Sequence, residues 1–546
     1  MLYTQSLPPT SRRMELTQPK TARGPVRTEL RLILQLSLIF AALKLAIQIV
    51  GNILAQHAGY GIFRDEMYYL VCGRHLAFGY VDQPPLTALQ ARLSDMLFGH
   101  ETMWTLRLIS GVAGAAKVFL TGLLVWALGG GRKAAALAML AVIAGGVYLG
   151  IDSYLSMNSF DPIFWMLCTL ALIRIVRSDS PAEIRNWWIV MGVSAGLAFE
   201  NKDSVVFFLV AMLVALLLTP QRRILANRWF AVSVLLIVIL ALPNFLWQVH
   251  YHFPTLEWLR AVQSTGKDVK LPPLPFFLGQ IMMLTPHNLL LWATGVLWLL
   301  FAKAARSFRF LGVFYLLFLA LMMALHAKDY YLAPAYPVFF AAGAVAWFAW
   351  AKQKMWRNGL IGIYTALLVV GIVAFFPFSV PVLPPQQWIA YAERLHYTSH
   401  DSEVEKDKPL LPQFYADRFG WQELADRVGH IYNALPPQER AITGIYGQNY
   451  GDAGAIDVLG RKYGLPPAIS GHQNYWIWGP RGYTGDEMIV IVDATPEQMA
   501  RFYASCEVVG KMDNPYSMPY EHRPIYLCRG RKRSYQADWK ELKLYH

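Results

Sequence analysis

The chain has 546 residues, of which 55% are hydrophobic and 16% are charged, and its mean hydropathy is +0.32. Soluble domains carry roughly 25% charged residues, so this composition excludes a disordered chain and argues against a purely soluble enzyme. The net charge of +13 fits either nucleic-acid binding or the basic loops of a membrane protein. Four cysteines are too few for a disulfide scaffold.

Apolar segments recur through the first two thirds of the chain, and they predict an α-helical polytopic membrane protein with about eleven spans of the length that hydrocarbon requires. The predicted spans are residues 32–55, 103–128, 134–151, 162–176, 187–200, 204–218, 229–249, 286–302, 310–326, 332–350 and 359–376. Residues 1–30 lack the apolar core of a signal peptide, and we predict a disordered cytoplasmic tail there.

Lysine and arginine residues set the predicted orientation, because cytoplasmic loops carry the basic excess. The N-terminal tail and every second connection after it are basic. They hold Arg12, Arg13, Lys20, Arg23 and Arg27, then Arg132 and Lys133, then Arg174, Arg177 and Arg185, then Arg222, Arg223 and Arg228, then Lys303, Arg306 and Arg309, and then Lys352, Lys354 and Arg357. The positive charge is therefore a topology signal, and without a basic patch interleaved with aromatics we predict no nucleic-acid partner.

The composition changes at Pro377, and residues 377–546 are predicted to be an extracytoplasmic domain. Its patterns predict helices at residues 421–435, 453–463 and after 495–496, and strands at residues 441–446, near 468, and at 488–492, 506–509 and 525–528. Alternation of this kind indicates an α/β domain, a sheet covered by helices. Cys506 and Cys528 would lie on the oxidising side, where a disulfide and two buried thiols are both open interpretations.

Several common catalytic signatures are missing from the sequence. It has no phosphate-binding glycine loop, no HExxH and no CxxC. It also has no Asp-x-Asp pair of the kind that soluble sugar transferases use with nucleotide sugars. The spacing therefore indicates no metal site and argues against a nucleotide-sugar donor.

The first outer loop, residues 56–102, carries adjacent acids close to the membrane exit. Asp65 and Glu66 lie on a segment predicted to be an amphipathic helix in the membrane interface. One interpretation is that these acids are solvated or paired with Arg64 and Arg74. The other is a catalytic carboxylate at the membrane surface, since ionisable groups held at a membrane are costly and often functional. Asp82, in the turn that follows, is interpreted as capping that turn.

Four segments together resemble one known family. Residues 64–86, RDEMYYLVCGRHLAFGYVDQPPL, are similar to the first-loop signature of the bacterial branch of glycosyltransferase family 39. Residues 155–167, 196–209 and 326–340 resemble further motifs of that branch. It belongs to the GT-C superfamily, whose multi-span enzymes use polyprenyl-phosphate sugars. The resemblance covers about residues 30–376 and implies a GT-C-like catalytic domain over residues 31–376.

The resemblance implies an inverting transfer with three acids at the site. Asp65 matches the family's first-loop Asp and is expected to be the general base for an acceptor hydroxyl. Glu66 is expected to orient the acceptor or support the site. Asp161 is expected to be a second active-site acid, although a helix N-cap before Pro162 is a complete alternative explanation. No cofactor is certain, and Asp65 with Asp161 are the candidates for holding a divalent metal ion.

The leaving phosphate needs cations or hydrogen-bond donors rather than a general acid. By residue type, side and motif, the expected phosphate-binding residues are Lys202, Lys328, Tyr330 and Tyr331, with Arg74 and His326 as weaker candidates. Each lysine also has a simpler explanation. Lys202 could pair with Glu200 or Asp203, and Lys328 could pair with Asp329 or extend to the interface.

The function implied by these residues is a membrane glycosyltransferase that moves a sugar from a polyprenyl-phosphate donor to an envelope acceptor, which is lipid A, a glycan, another lipid or a protein. The expected location is the inner membrane, with the N-terminus in the cytoplasm. A multi-span transporter or lipid flippase is the alternative, and a receptor-like anchor is a third. The outer-surface position of the acids and the lack of an internal repeat favour the enzyme.

Overall fold

The computed structural model describes residues 23–265, 271–352, 354–397 and 409–545. Most of these residues are helical, and the strands lie near the C-terminus. Of the predicted disordered tail, residues 1–30, the part up to residue 22 lies outside the described residues. From Arg23 onward the chain is helical, so the first helix begins earlier than the predicted end of the tail.

The first two thirds of the chain consist of α1 (Arg23–His57), α2 (Arg64–Arg74), α3 (Pro85–Phe98), α4 (Met103–Leu106), α5 (Leu108–Ala127), α6 (Arg132–Ala144), α7 (Gly146–Ile151), α8 (Met157–Arg177), α9 (Pro181–Asn201), α10 (Val205–Leu217), α11 (Arg228–His250), α12 (Pro254–Thr265), α13 (Pro273–Met283), α14 (Leu289–Phe301), α15 (Arg309–Ala324), α16 (Tyr336–Ala351) and α17 (Met355–Ser379). Short 3-10 helices cover Pro220–Ala226, Pro286–Asn288, Lys303–Phe308 and Asp329–Ala335. By length and composition, seven helices of the described chain can cross a membrane, or up to nine if each of two bent pairs is one span. The protein is a multi-pass membrane protein, and the number of eleven spans stays a prediction.

One predicted span is broken, and two others adjoin sharp bends. The apolar stretch 134–151 is broken at Gly145, between α6 and α7. The helix α10 turns by 111° into the 3-10 helix that follows it, and α13 meets Pro286–Phe301 at 97°. At this second bend Thr285 has a φ of 66°, in the left-handed region, and its hydroxyl donates to the Ala144 carbonyl at 3.0 Å. The run of apolar residues continues through the break and the two bends. Such a run indicates that a segment is buried but does not indicate the direction of the helix axis.

Contacts at the helix ends bring several predicted cytoplasmic connections together. The backbone N–H of Arg132, at the start of α6, donates to the Glu29 carboxylate of α1 at 2.8 Å. Arg177, at the end of α8, donates to the Ala127 carbonyl at the end of α5 at 2.5 Å. The basic connections around these residues therefore lie at one end of the helix bundle, which is the grouping that the charge pattern predicts.

The helix α2 is enclosed rather than exposed at a membrane surface. Met67, Leu70 and Val71, the predicted apolar stripe, are at most 1% exposed, and so is Tyr68 on another face. The prediction of an amphipathic helix lying in the interface is therefore wrong. Its sequence has polar residues mainly at the N-terminus, and the rest of the helix is covered by α3 and by the C-terminal region.

The C-terminal region contains α18 (Pro385–Arg394), α19 (Gln413–Ala416), α20 (Trp421–Ala434), α21 (Pro437–Arg440), β1 (Thr443–Gly447), α22 (Tyr450–Leu459), α23 (Gln473–Trp478), β2 (Glu487–Ile491), α24 (Pro496–Met499), β3 (Tyr503–Met512), β4 (Arg523–Arg531) and α25 (Tyr535–Asp538). Further 3-10 helices cover Gly460–Tyr463 and Pro519–Glu521. This sequence of helices and strands confirms the predicted α/β class for the region.

The strands form one sheet in the order β1-β2-β4-β3. β1 pairs with β2 in parallel, and β4 runs antiparallel to both β2 and β3. The predicted strand near residue 468 is only a single bridge between Tyr446 and Ile469. Cys506 and Cys528 lie opposite each other in β3 and β4 and form a disulfide, so of the two open interpretations the structure has the disulfide.

One hydrophobic core joins the first outer loop to the C-terminal region. Met67 and Leu70 of α2 lie in the same cluster as Ile456 of α22, Ile489 of β2 and Ile525 of β4. Burial of apolar surface stabilises such a contact by roughly 25 cal/mol for each Å² removed from water. The change in composition at residue 377 therefore does not mark a break in the core.

Thiol counting tests the arrangement of the cysteines. In protein purified from membranes and denatured without reductant, we expect alkylation of two thiols, Cys72 and Cys168, because Cys506 and Cys528 are joined. Reduction before alkylation should raise the number to four, as read by intact-protein mass spectrometry. In Cys506→Ser, a third thiol, from Cys528, should react without reductant. Four reactive thiols in unreduced wild-type protein would contradict the disulfide.

Candidate active site

Asp65 lies at the N-terminus of α2, where the membrane part meets the C-terminal region. Its Oδ1 accepts a hydrogen bond of 2.7 Å from the hydroxyl of Tyr450, the first residue of α22. The side chain is 29% exposed, and the Arg64 Nε lies 3.7 Å from the same oxygen. Arg64 in turn reaches Asp417 at 3.6 Å and Glu521 at 3.4 Å, both in the C-terminal region. The carboxylate is thus partly accessible and lies in a charged surround.

Glu66 is in a different environment from its neighbour. Its side chain is fully buried, and Arg107 binds both oxygens, Nε to Oε1 at 2.8 Å and Nη2 to Oε2 at 2.7 Å. The backbone N–H groups of Phe63 and Leu155 also donate to it, at 2.9 and 2.8 Å. Burial alone would raise the pKa of Glu66, but Arg107 holds it below its usual range. The structure therefore does not bring Glu66 to an open surface with Asp65, and a substrate has no access to its carboxylate.

Asp82 is a neighbour of Asp65 that the sequence interpretation treated only as a turn cap. The Tyr68 hydroxyl donates to Asp82 Oδ1 at 3.0 Å, which links the turn to α2. Burial raises the pKa of Asp82 to about 7, the Tyr68 hydrogen bond opposes this shift, and the charge of Asp65 adds to it. Asp82 is therefore a weaker acid than a solvent-exposed aspartate.

Asp161 lies inside α8 and does not cap it. The helix begins at Met157 with Ser156 as the N-cap, whose hydroxyl accepts from the Asn158 N–H at 3.2 Å. The N-cap explanation for Asp161 is therefore wrong. The side chain is 1% exposed, and its Oδ1 has no hydrogen-bond partner within the described part of the chain. A buried carboxylate in this state requires nearby positive charge, and Lys202 acts electrostatically on it.

Lys202 sits between two outer loops. Its Nζ donates to Asn158 Oδ1 at 2.8 Å and lies 5.3 Å from the ring centroid of Tyr330 and 4.8 Å from that of Tyr331. Burial lowers the pKa of Lys202, Asp161 opposes the shift, and Lys328 adds to it. Lys202 and the two tyrosines come from motifs that are far apart in the sequence. The structure brings them together, and Lys328 lies close enough to Lys202 to interact with it electrostatically. Four of the predicted phosphate-binding residues are therefore neighbours.

The simpler explanation of Lys202 does not hold. Among residues 23–265, its ammonium makes no ion pair within 4 Å with Glu200 or Asp203, and its hydrogen bond goes to Asn158 instead. Asp203 contributes only a weaker electrostatic interaction. Lys202 therefore directs its charge to Asn158 and to the two tyrosine rings.

Tyr154 lies near enough to Asp65 to interact with it electrostatically, and it is hydrogen-bonded to the residue that holds Lys202. Asn158, which holds Lys202, donates from Nδ2 to the Tyr154 hydroxyl at 3.3 Å. Burial raises the pKa of Tyr154, and the charge of Asp65 contributes to the shift. We call Asp65, Tyr154, Asn158, Asp161 and Lys202 the polar strip. Hydrogen bonds join Tyr154, Asn158 and Lys202, while Asp65 acts electrostatically on Tyr154 and Lys202 on Asp161.

Buried ion pairs anchor the loop that carries Tyr154 and Asn158. Asp152, at the start of this loop, lies 3.1 Å from the Nζ of Lys44 and also binds Lys117, and all three side chains are fully buried. Lys44 additionally donates to the Tyr148 carbonyl at 2.9 Å. The start of α8 is thereby fixed against α1 and α5.

Arg74 is held by other elements than the polar strip, and His326 is exposed. Arg74, at the far end of α2, donates to the Asp457 carbonyl at 2.9 Å and lies 3.6 Å from Asp95. It therefore ties α2 to α22 and α3. His326, at the end of α15, is exposed and has a φ of 50°. Arg74 is therefore engaged away from Lys202, and a role for His326 stays a prediction.

The described residues include no group of three or more His, Cys, Asp or Glu side chains arranged to hold a metal ion. The donor sets of the two metal candidates also fit poorly. Asp65 accepts from Tyr450 and adjoins Arg64, while Asp161 faces the charges of Lys202 and Lys117. Cations beside both carboxylates oppose the binding of a divalent ion, so no step is assigned to a metal.

Sequence reasoning missed three residues of this site, Tyr450, Tyr154 and Asn158. Tyr450 is 385 positions from Asp65 along the chain, and no local pattern relates the two. Asn158 could have been identified as a residue of interest, because the Ser-Met-Asn-Ser run before a predicted span is rich in helix-capping residues. Its contact with Lys202 depends on how two loops pack and has no signal in either loop.

Substitution of the buried acid tests its supporting position. Glu66→Gln should lower the free energy of unfolding by about 3–5 kcal/mol, because Arg107 would remain buried without its charge partner. The measurement is thermal unfolding of purified protein in detergent. Glu183→Gln is the matched control, since that side chain is 51% exposed and its pair with Arg174 contributes about 0–1 kcal/mol. An equal melting temperature for E66Q and E183Q would contradict this assignment.

Comparison with known proteins agrees with the fold. Residues 82–247 match the model of a family described as dolichyl-phosphate-mannose-protein mannosyltransferase. The lipid A galacturonosyltransferase RgtD of Rhizobium johnstonii is 27% identical over 241 residues, which are 42% of this chain and 48% of RgtD. The alignment thus spans about half of that relative's length.

Solved structures extend the comparison to nearly the whole chain. ArnT from Cupriavidus metallidurans bound to undecaprenyl phosphate superposes with a TM-score of 0.57 at 15% identity, over 90% of this chain and 97% of ArnT. The apo state of the same protein gives a TM-score of 0.56 at 15% identity over the same shares of both chains. The chain therefore has the ArnT fold.

Proposed function

We propose that this protein is an inverting glycosyltransferase of the inner membrane that moves a sugar from a polyprenyl-phosphate carrier to an envelope acceptor. In this proposal the basic connections face the cytoplasm, and residues 377–546 with the first outer loop lie on the other side. The catalytic domain is residues 31–376. The single observation that carries the proposal is the polar strip, with a partly exposed carboxylate at one end and a lysine against two tyrosine rings at the other.

The chemistry follows from the types of group along the strip. Asp65 accepts the proton of an acceptor hydroxyl as that oxygen attacks the anomeric carbon of the sugar. The bond from the anomeric carbon to the phosphate oxygen breaks, and the carrier phosphate leaves with the electron pair. The acceptor hydroxyl becomes more acidic as its oxygen donates electrons to the oxocarbenium-like anomeric carbon. A carboxylate is then a strong enough base to take the hydroxyl proton. The step needs no general acid, because the leaving group is already a stable anion.

The leaving phosphate gains negative charge, which Lys202 and Lys328 stabilise at the outer end of the bundle. Tyr330 and Tyr331 hold the Lys202 side chain by cation–π contact, and Asn158 accepts one of its hydrogen bonds. In a site that excludes water, such preorganised charge stabilises a transition state more strongly than it would in solvent. Glu66 takes no part in proton transfer in this proposal and positions α2.

Relatives narrow the choice of substrates to be tested. RgtD is a lipid A galacturonosyltransferase, and the ArnT structure contains undecaprenyl phosphate. We therefore propose undecaprenyl phosphate as the carrier and a lipid A-type glycolipid as the first acceptor to test. A transporter or flippase would bind the carrier but form no new glycosidic bond, so product analysis separates the two functions.

Asp65→Asn tests the general base. Transfer of radiolabelled sugar from polyprenyl-phosphate galacturonic acid to lipid A should fall at least about 100-fold, because general base catalysis contributes about 10²–10⁴-fold. Asp426→Asn is the control, since Asp426 pairs with Lys462 on the surface of the C-terminal region. Equal transfer by D65N and wild type, at equal protein levels, would contradict the role of Asp65. Mass spectrometry of envelope glycolipids and glycoproteins from a deletion strain covers other substrates, and an unchanged profile would contradict the transferase.

Lys202→Ala tests the phosphate site. Binding of undecaprenyl phosphate, measured by its effect on thermal unfolding in detergent, should weaken at least about tenfold, because a hydrogen bond to a charged group contributes about 1.5–3 kcal/mol. Lys462→Ala, a lysine that is 54% exposed in the C-terminal region, should bind the lipid as wild type does. Equal affinities for the two variants would remove Lys202 from the site.

A further inference from the structure

The C-terminal region touches the proposed base through the N-terminal turn of α22. Two glycines in α22 allow this helix to approach α2 closely. A Cβ atom on Gly451 would lie 2.8 Å from the Arg64 Cγ, and one on Gly454 would lie 3.2 Å from the Met67 Cβ. Any larger residue at Gly451 would displace Arg64 or the helix. The contact between α2 and α22 is therefore close along its length, and it ends at Asp65.

Tyr450 makes this contact with its hydroxyl. The Oη donates to Asp65 Oδ1 at 2.7 Å, a short hydrogen bond to a carboxylate. Burial raises the pKa of Tyr450 well above its usual value, and the nearby Asp65 adds to the shift while Arg64 opposes it. The phenol consequently keeps its proton over the range in which enzymes work and remains a donor.

The Tyr450 ring is held from several sides, so its hydroxyl has a fixed position. The His472 ring stacks on it at 5.0 Å with an interplanar angle of 11°, and the backbone N–H of Tyr450 donates to His472 Nδ1 at 3.2 Å. The Tyr68 ring centroid lies 4.9 Å away, and the Arg64 guanidinium lies 5.4 Å from the Tyr450 ring. Asn449 caps α22 directly before this residue. A side chain packed in this way holds its partner in one geometry.

We propose that Tyr450 is a positioning residue for Asp65, so that the C-terminal region supplies part of the transfer site. Its hydroxyl holds Oδ1 and orients the carboxylate toward the acceptor. As a donor to the charged form, it also lowers the proton affinity of Asp65 and keeps the base ionised to lower pH. The inference rests on the proposed function, because it assigns Tyr450 to the base of that reaction.

The test uses Tyr450→Phe, which removes one oxygen and keeps the ring packing. In Y450F the acid limb of the kcat/KM profile for the polyprenyl-phosphate galacturonic acid and lipid A assay should move to higher pH by about one unit, because the donor to the carboxylate is lost. Tyr503→Phe is the matched control. It removes a buried hydrogen bond of 2.7 Å to Tyr535 in the same region, away from α2. Y503F should leave the acid limb where wild type has it.

A second variant changes the strength of the hydrogen bond without removing it. Replacement of Tyr450 with 3-fluorotyrosine keeps the contact and makes the phenol a stronger donor, so the acid limb should move to lower pH, opposite to Y450F. A structural anchor alone would change protein yield or melting temperature but not the acid limb. If both variants at 450 give the acid limb of wild type and Y503F, Tyr450 does not position the base.

The outcome is separable from that of the proposed function. Asp65→Asn with normal transfer overturns the role of Asp65 and, with it, this inference. Inactive D65N with an unshifted Y450F profile overturns the inference alone. Binding of undecaprenyl phosphate should be the same in Y450F and wild type, because Tyr450 lies at the Asp65 end of the polar strip. Weakened lipid binding in Y450F would assign the residue to carrier binding instead and contradict the inference.

Discussion

The buried ion pair between Glu66 and Arg107 fixes the part of the molecule on which the site depends. In a dry interior the desolvation of two charges costs several kcal/mol per ion, and only a bidentate geometry with every lone pair engaged offsets it. Here Arg107 and the N–H groups of Phe63 and Leu155 meet that requirement. Since adjacent residues of a helix point about 100° apart, Asp65 is directed away from this pair and toward α22.

A series of alternating charges runs from the first helix, α1, to the end of α9. Lys44 and Lys117 both form ion pairs with Asp152. Asp161 interacts electrostatically with Lys117 and with Lys202. At the end of this series the partly exposed Lys202 also interacts electrostatically with Asp203 and with a second lysine, Lys328. An apolar bundle tolerates such charges only when they are paired or face a polar ligand. An anionic headgroup at the outer end would complete the pairing.

Physical reasons decide which features could be predicted from the sequence. Hydropathy gave the membrane class, and period and turn residues gave most of the C-terminal strands, because both are local. The acids and lysines of the outer loops were identified through motifs. The prediction that α2 lies in the membrane interface was wrong, because α22, which covers it together with α3, is about 380 residues away in the sequence. Asp161 before Pro162 has the local pattern of an N-cap, and only the start of α8 at Met157 excludes that explanation.

The shared core between α2 and the C-terminal region has a consequence for the chemistry. At an open membrane surface Asp65 would be in contact with bulk water. Charge interactions in bulk water are weak, including that between a lysine and a phosphate. The sheet region covers α2, places Trp421 and Tyr450 beside its N-terminus and reduces the exposure of Asp65 to 29%. Removal of water strengthens each charge interaction along the polar strip. The same cover makes α2 depend on residues far along the chain, so the membrane helices alone would leave both the apolar face of α2 and the proposed base without their partners.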